Sequence, residues 1–150
     1  MDLSGLLGNA GYCRIPLSSS GVGHFHAEAT IAARPVSALL DTGASNTVLS
    51  LAVAHELDLS LVASQLQGGG AGSARMEVFF VEQPSLLRLG EVTPSLERLM
   101  AMDLSHVNQA LHARGEAPIE LIIGVDIFSA HQAVIDYGNN CLFLKAHTVR

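Results

Sequence analysis

The sequence predicts a mainly β domain with short helices, on three observations. Residues 24–33 alternate, with Phe25, Ala27, Ala29 and Ile31 on one side and His24, His26, Glu28 and Thr30 on the other, which is the period of a half-buried strand. Residues 36–40 and 121–123 are short apolar-rich runs that stop at turn-formers, Asp41 and Gly124, as buried strands do. Glycine and proline punctuate the middle of the chain at 67–73, Pro84 and Gly90, which leaves room for short strands and not for long helices. A length of 150 residues suits one domain with its own core. Residues 1–10 are expected to be a loose N-terminal arm, and 11–150 the domain.

The elements follow in order. After the strand at 24–33, Arg34-Pro35 interrupts the pattern and residues 36–40 resume as a buried strand that delivers Asp41 into a turn. Ser50 is placed to cap a short helix through Leu57. Residues 67–73, with glycines at 68, 69, 70 and 72, cannot hold regular structure without a large entropic cost and are expected to be a loop or hairpin tip. Met76, Val78 and Phe80 alternate with Glu77, Phe79 and Val81 as one arm of that hairpin. Asp103 or Ser105 caps a helix to Arg114, ended by residues 115–118. Residues 120–124 then repeat the earlier grammar of apolar strand into glycine, and Asp126 caps a short helix through Ala130. Strands at 133–136 and 142–144 are joined by the turn 137–140.

Hydrophobic residues make up 49% of the chain and charged residues 15%, which excludes a disordered polymer. A subunit interface is the expected use of so much apolar surface. Net charge is −6 and the eight Lys and Arg are scattered, so no basic stripe points to nucleic acid as a partner. No apolar run reaches the roughly 18 residues that span a bilayer, and residues 1–11 lack the order of a leader. The reading is a soluble domain with no membrane segment, its compartment left open. Cys13 and Cys141 are the only cysteines and form no CxxC pair, hence no zinc site. A disulfide would need the first and last strands to adjoin, whereas isolated strand cysteines are more often reduced and buried. His24 and His26 share a strand face without a spaced third ligand, and His55-Glu56 lacks the second histidine of a zincin helix, so no metal is expected. The glycine run lacks a following Gly-Lys-Ser/Thr, so no phosphate-bearing cofactor is implied.

Chemistry concentrates at Leu39-Leu40-Asp41-Thr42-Gly43-Ala44-Ser45, a carboxylate carried by an apolar strand into a turn that Gly43 permits. Taken alone, Asp41 reads as a turn cap bonding the amides of Gly43 or Ala44. Leu121-Ile122-Ile123-Gly124 downstream and the glycine run between the two change that reading. In this order and spacing the three resemble the active-site motif, the flap and the apolar-apolar-glycine motif of aspartic proteases. A second Asp-Thr-Gly or Asp-Ser-Gly is missing from the sequence. Pepsin-like chains carry two such motifs, so the resemblance is to the retropepsin type, and more to its bacterial single-domain members than to the viral ones. It covers residues 11–145.

That resemblance implies a retropepsin-like (acid protease) closed β-barrel with short helices, one lobe per chain. It implies an aspartic endopeptidase that acts on peptide or protein substrates as a homodimer, with Asp41 as the catalytic residue. Thr42, Gly43, Ala44 and Ser45 would support the site, and Gly69, Gly70, Ala71 and Gly72 would form the flap over an extended substrate. Ile122, Ile123, Gly124 and Asp126 would form the second motif. Ser45 stands where viral enzymes usually carry Asp. Asp126 is the rival intramolecular partner for Asp41, but its place two residues past Gly124 at a helix start reads as a cap. Two alternatives accompany the protease reading: a non-catalytic peptide-binding or dimerisation module of the same fold, and an enzyme that processes only its own arm.

Overall fold

The structure is a computed structural model that describes residues 1–68 and 76–147. The predicted strand at 24–33 is β3 (Phe25–Ile31), preceded by β1 (Tyr12–Pro16) and the two-residue β2 (Ser18–Ser19). Its apolar positions 25, 27, 29 and 31 are buried, as the alternation requires. β4 (Arg34–Leu40) follows in antiparallel register, Ile31 opposite Arg34, so the break falls at Ala32-Ala33 and not at Arg34-Pro35. Both alanines hold left-handed backbone, φ 48° and 66°, which closes a two-residue hairpin of the primed type. Without Asn or Gly at those positions, the sequence carries no signal for the turn.

β5 (Val48–Ser50) leads into α2 (Leu51–Glu56), where Ser50 occupies the capping position but its side chain makes no capping bond. β6 (Leu61–Gly68) and β7 (Met76–Val81) are antiparallel arms, Gly68 opposite Met76. The expected tip at Gly69, Gly70, Ala71 and Gly72 lies outside the described residues. β8 (Leu87–Arg88) pairs with β3, and β9 (Leu99–Met102) runs beside β5 and β7. α3 (Ser105–Ala113) takes Leu104 and not the expected Asp103 or Ser105 at its N-cap position, which has no side-chain cap bond; the Asp103 carboxylate, one residue earlier, accepts the Ser105 N–H at 2.9 Å, and the helix ends where Gly115 adopts φ 75°.

β10 (Leu121–Ile123) enters between β4, to which it is parallel, and β5, to which it is antiparallel. The large sheet reads β2-β3-β4-β10-β5-β9-β7-β6. Its ends are separate strands, so the expected closure into a barrel is not made; the mainly β class is. A smaller sheet joins β1, β12 (Cys141–Lys145) and β11 (Val134–Asp136). β1 and β12 do adjoin, but the register sets Cys13 against Leu144 and Cys141 against Pro16, and both thiols are free. The N-terminal residues are not a loose arm throughout: Leu3–Asn9 form α1, capped by Asp2, whose Oδ1 accepts the Gly5 N–H at 2.9 Å.

The main core gathers Ile31, Leu49, Leu99, Leu121, Ile123 and Leu142 from both sheets, with Ile127 of α4 (Val125–Ala130). A second, smaller cluster of Leu39, Leu111 and Ile119 forms where α3 covers the other face of β4 and β10. The strands that lead to Asp41 and Gly124 are thereby packed on both faces. Among the described residues no helix is long and apolar enough to cross a membrane.

Candidate active site

Parallel pairing of β4 with β10, Leu40 beside Ile123, brings the two sequence motifs together at the same end of two interior strands. The Asp41 N–H continues that ladder by donating to the Ile123 carbonyl at 3.0 Å. The chain then turns tightly. Ala44 N–H donates to the Asp41 carbonyl at 3.1 Å, and Gly43 N–H to Asp41 Oδ1 at 2.9 Å. The carboxylate therefore does, through Oδ1, what the capping reading of this Asp requires. A Cβ at Gly43 would lie 3.2 Å from Asp41 Oδ1, so a side chain there would crowd the carboxylate. Asp41 is half-buried and Thr42 and Ser45 are exposed at the rim of the turn.

The second motif holds the first in place. Val125 N–H donates to the Ala44 carbonyl at 2.8 Å. Gly124 lies so close under the turn that a Cβ would stand 2.7 Å from the carbonyl oxygens of both Ala44 and Asn46. Thr47, fully buried, accepts the Gly124 N–H on Oγ1 at 3.1 Å. Asp126 is not the N-cap of α4, a position Gly124 takes without a side-chain bond. Its carboxylate sits one residue inside the helix, accepting the Ile127 N–H and both donors of Thr47. Thus Asp126 is spent on the scaffold and is not placed as a free partner for Asp41.

Ile122 and Ile123 divide between the two cores: Ile123 is in the main cluster and Ile122 packs against the smaller one. Among the described residues no group of three or more His, Cys, Asp or Glu side chains is arranged to hold a metal ion. The residues sequence reading passed over are Thr47 and the pair His24–Glu116. Thr47 left a faint signal, a β-branched hydroxyl residue just before a buried strand. Glu116 left none, because its partner lies 92 positions away.

A turn built this way on a sheet of this order defines the aspartic protease class of folds. The family model for aspartyl proteases matches residues 27–127, and the chain belongs to that family. Among solved structures it is similar to a retropepsin-like aspartic protease from Rickettsia conorii, 16% identical over 90% of this chain and 92% of that one, with a TM-score of 0.57. It is also similar to the retroviral protease-like domain of Ddi1 from Leishmania major, 20% identical over 79% of this chain and 86% of that one, with a TM-score of 0.51. These likenesses concern the fold. No curated protein sequence matches the chain.

Proposed function

We propose that the chain is an aspartic endopeptidase whose catalytic dyad consists of Asp41 from each of two copies. The observation that carries this reading is the Asp41 turn held against Gly124 by backbone contacts, in a chain whose sequence carries one Asp-Thr-Gly motif and not two. A homodimer supplies the second carboxylate by symmetry, since a two-fold interface sets the same loop against itself.

Two carboxylates within hydrogen-bonding distance cannot both ionise comfortably, so the pair shares one proton. The ionised member takes a proton from the water that attacks the peptide carbonyl. The protonated member gives its own to the carbonyl oxygen of the tetrahedral diol. This chemistry needs neither a covalent intermediate nor a metal. The two apparent pKa values belong to the pair, and a bell-shaped profile follows. The Gly43 N–H holds the carboxylate and the Ala44 N–H closes the turn on the Asp41 carbonyl, and exposed Thr42 would bond across the dimer axis. Ser45, also exposed, would meet substrate backbone. Gly69, Gly70, Ala71 and Gly72 would close over an extended peptide and exclude water.

The test compares wild type with Asp41→Asn on a diverse peptide mixture from acidic to neutral pH, at several protein concentrations, with products read by mass spectrometry. Cleavage that depends on Asp41 and rises more steeply than protein concentration supports the dimeric enzyme. Peptide binding without any Asp41-dependent product would make the chain a binding module of the same fold. Cleavage confined to its own N-terminal residues would make it a self-processing enzyme.

A further inference from the structure

The large sheet carries an apolar row that the two cores use only at one end. Register sets Leu39 of β4 beside Ile122 of β10, Ile122 beside Val48 of β5, Val48 beside Met100 of β9, and Met100 beside Phe80 of β7. α3 covers the Leu39 end, where Leu111 and Ile119 are buried and Ile122 packs against them. Val48, Met100 and Phe80 belong to neither core cluster and are half-buried. β6 extends the row with Val62, which stands opposite Phe80 and is 46% exposed. Directly opposed residues share one face, so these side chains form an apolar shelf that leads from α3 out to the β6–β7 hairpin.

Arg98 stands at the outer end of that shelf. Its guanidinium lies 5.0 Å from the centre of the Phe80 ring. Stacking on an aromatic face fixes the plane of a guanidinium and leaves its N–H edge open. Among the described residues Arg98 makes no ion pair. It lines a cavity of about 480 Å³ together with Asn46, Glu97 and Asp126. Asn46 ties this cavity to the Asp41 turn: its carbonyl oxygen is one of the two that crowd Gly124, and Ile123, the residue before, accepts the Asp41 N–H. From β9 through β5 and β10 to β4 is three strand spacings, roughly 14 Å, or about four residues of an extended peptide. Of the two carboxylates in the cavity, Asp126 is committed to Thr47 and to the Ile127 N–H. Glu97 is exposed, and among the described residues no hydrogen bond or ring contact fixes it. Arg98 is therefore the pre-organised charge of the pair.

We infer that Arg98 is a specificity-determining residue that takes a carboxylate of the bound peptide about four residues from the cleaved bond, beyond the apolar side chains that occupy the shelf. This rests on the reading of Asp41 as catalytic. The carboxylate belongs to an Asp or Glu side chain or to the peptide's own C-terminus, and the open fork of N–H donors matches either one bidentately. A net charge of −6 gives the chain no general attraction for acidic peptides, so a preference for them needs a local cation such as this one. The contact lies away from the reacting bond and is made equally before and during reaction, so it acts on KM and leaves kcat unchanged.

Cleavage and binding test it separately. The probes are decapeptides with an apolar centre and Glu, Gln or Lys at each flanking position in turn, each made with a free and with an amidated C-terminus. In wild type, Glu at one flanking position is expected to lower KM about tenfold relative to Gln, with kcat unchanged, the size of one charge-assisted hydrogen-bonded contact. Arg98→Gln removes that preference and Arg98→Glu turns it toward Lys. Arg98 is exposed, so both variants are expected to unfold at the wild-type denaturant midpoint. The same ranking is read without cleavage, by fluorescence anisotropy of the labelled peptides on Asp41→Asn, with and without Arg98→Gln. A preference that follows the free C-terminus, and is lost in Arg98→Gln, supports the site with the terminal carboxylate as its ligand. A wild-type preference for Lys hands the cavity to Glu97 and overturns the proposal, as does no preference at all or a Glu preference that survives Arg98→Gln. Absent cleavage with the Arg98-dependent binding present overturns the protease reading and leaves the carboxylate site in place.

Discussion

Thr47 and Asp126 grip one another through two bonds, the Thr47 N–H to Asp126 Oδ2 at 2.8 Å and the Thr47 hydroxyl to Asp126 Oδ1 at 2.7 Å. The same hydroxyl accepts the Gly124 N–H, so one buried side chain joins the strand after the Asp41 turn to the start of α4. Thr47→Val keeps the shape and removes the hydroxyl, stranding the Gly124 N–H and one bond of a carboxylate. A loss of about 3 kcal/mol in unfolding free energy is expected, because buried polar groups left unpaired bear their full desolvation penalty. Urea denaturation measures it, with Thr47→Ser as the control that keeps the hydroxyl. Equal loss in both variants would assign the effect to the methyl group and not to the bonds.

Gly124 is required for space and not for backbone conformation, since its φ of −110° is open to any residue. In Gly124→Ala the new methyl would meet two backbone carbonyl oxygens at 2.7 Å, and backbone cannot swing aside as a side-chain tip can. The variant is expected to lose about 3 kcal/mol, the upper range for overpacking a filled site. Because the displaced atoms belong to Ala44 and Asn46, cleavage should fall more than stability alone explains. Activity measured well below the melting midpoint separates the two effects.

The Ala32-Ala33 turn offers a gain. Both residues sit at positive φ, where a Cβ is strained and where Asn-Gly is at home. Ala32→Asn with Ala33→Gly is expected to raise stability by about 1 kcal/mol and the melting midpoint by about 3 °C. The Ala32 N–H bond to the Leu86 carbonyl, 3.1 Å, is a backbone bond and survives the change. A calorimetric scan checks it, and a lower midpoint would show that the alanines are held by packing and not tolerated despite strain.

What the sequence made legible is what local chemistry determines. The alternation in β3, the apolar runs ending at Asp41 and Gly124 and the glycine stop of α3 each declare themselves within a few residues. The Ala32-Ala33 turn was unreadable because alanine has no propensity for the conformation it adopts there; the hairpin forms because the two strands it joins are buried and in register. α1 was missed because none of its residues is buried, so no hydrophobic period reached the core. Asp126 reads as a cap because helix position is local, whereas its bond to Thr47 spans 79 positions. The site's scaffold was therefore visible as two motifs, and the contacts that fix one motif on the other were not.

Asp136 gives a pH-dependent prediction. It ends β11 and anchors the turn into β12, its Oδ1 accepting the Gly138 and Asn139 N–H groups at 2.9 and 3.2 Å and its Oδ2 the Asn139 side-chain amide at 2.9 Å. These bonds, the Asn139 side chain foremost, hold its carboxyl below the usual carboxylate range, with the Arg14 charge helping and burial opposing. A carboxyl lowered on folding contributes stability above its unfolded pKa, and that contribution drains away as pH falls through the folded value. Wild type is therefore expected to lose stability more steeply than Asp136→Asn as pH falls below the usual carboxylate range, because the variant has no proton to gain at that position. Denaturant midpoints measured as pH falls provide the test. Since β11 and β12 form the small sheet with β1, the same titration should loosen the strands nearest both termini first, seen as earlier hydrogen exchange at residues 141–145 than at 121–123. Parallel acid profiles for the two proteins would remove Asp136 from the list of groups that tie this sheet together.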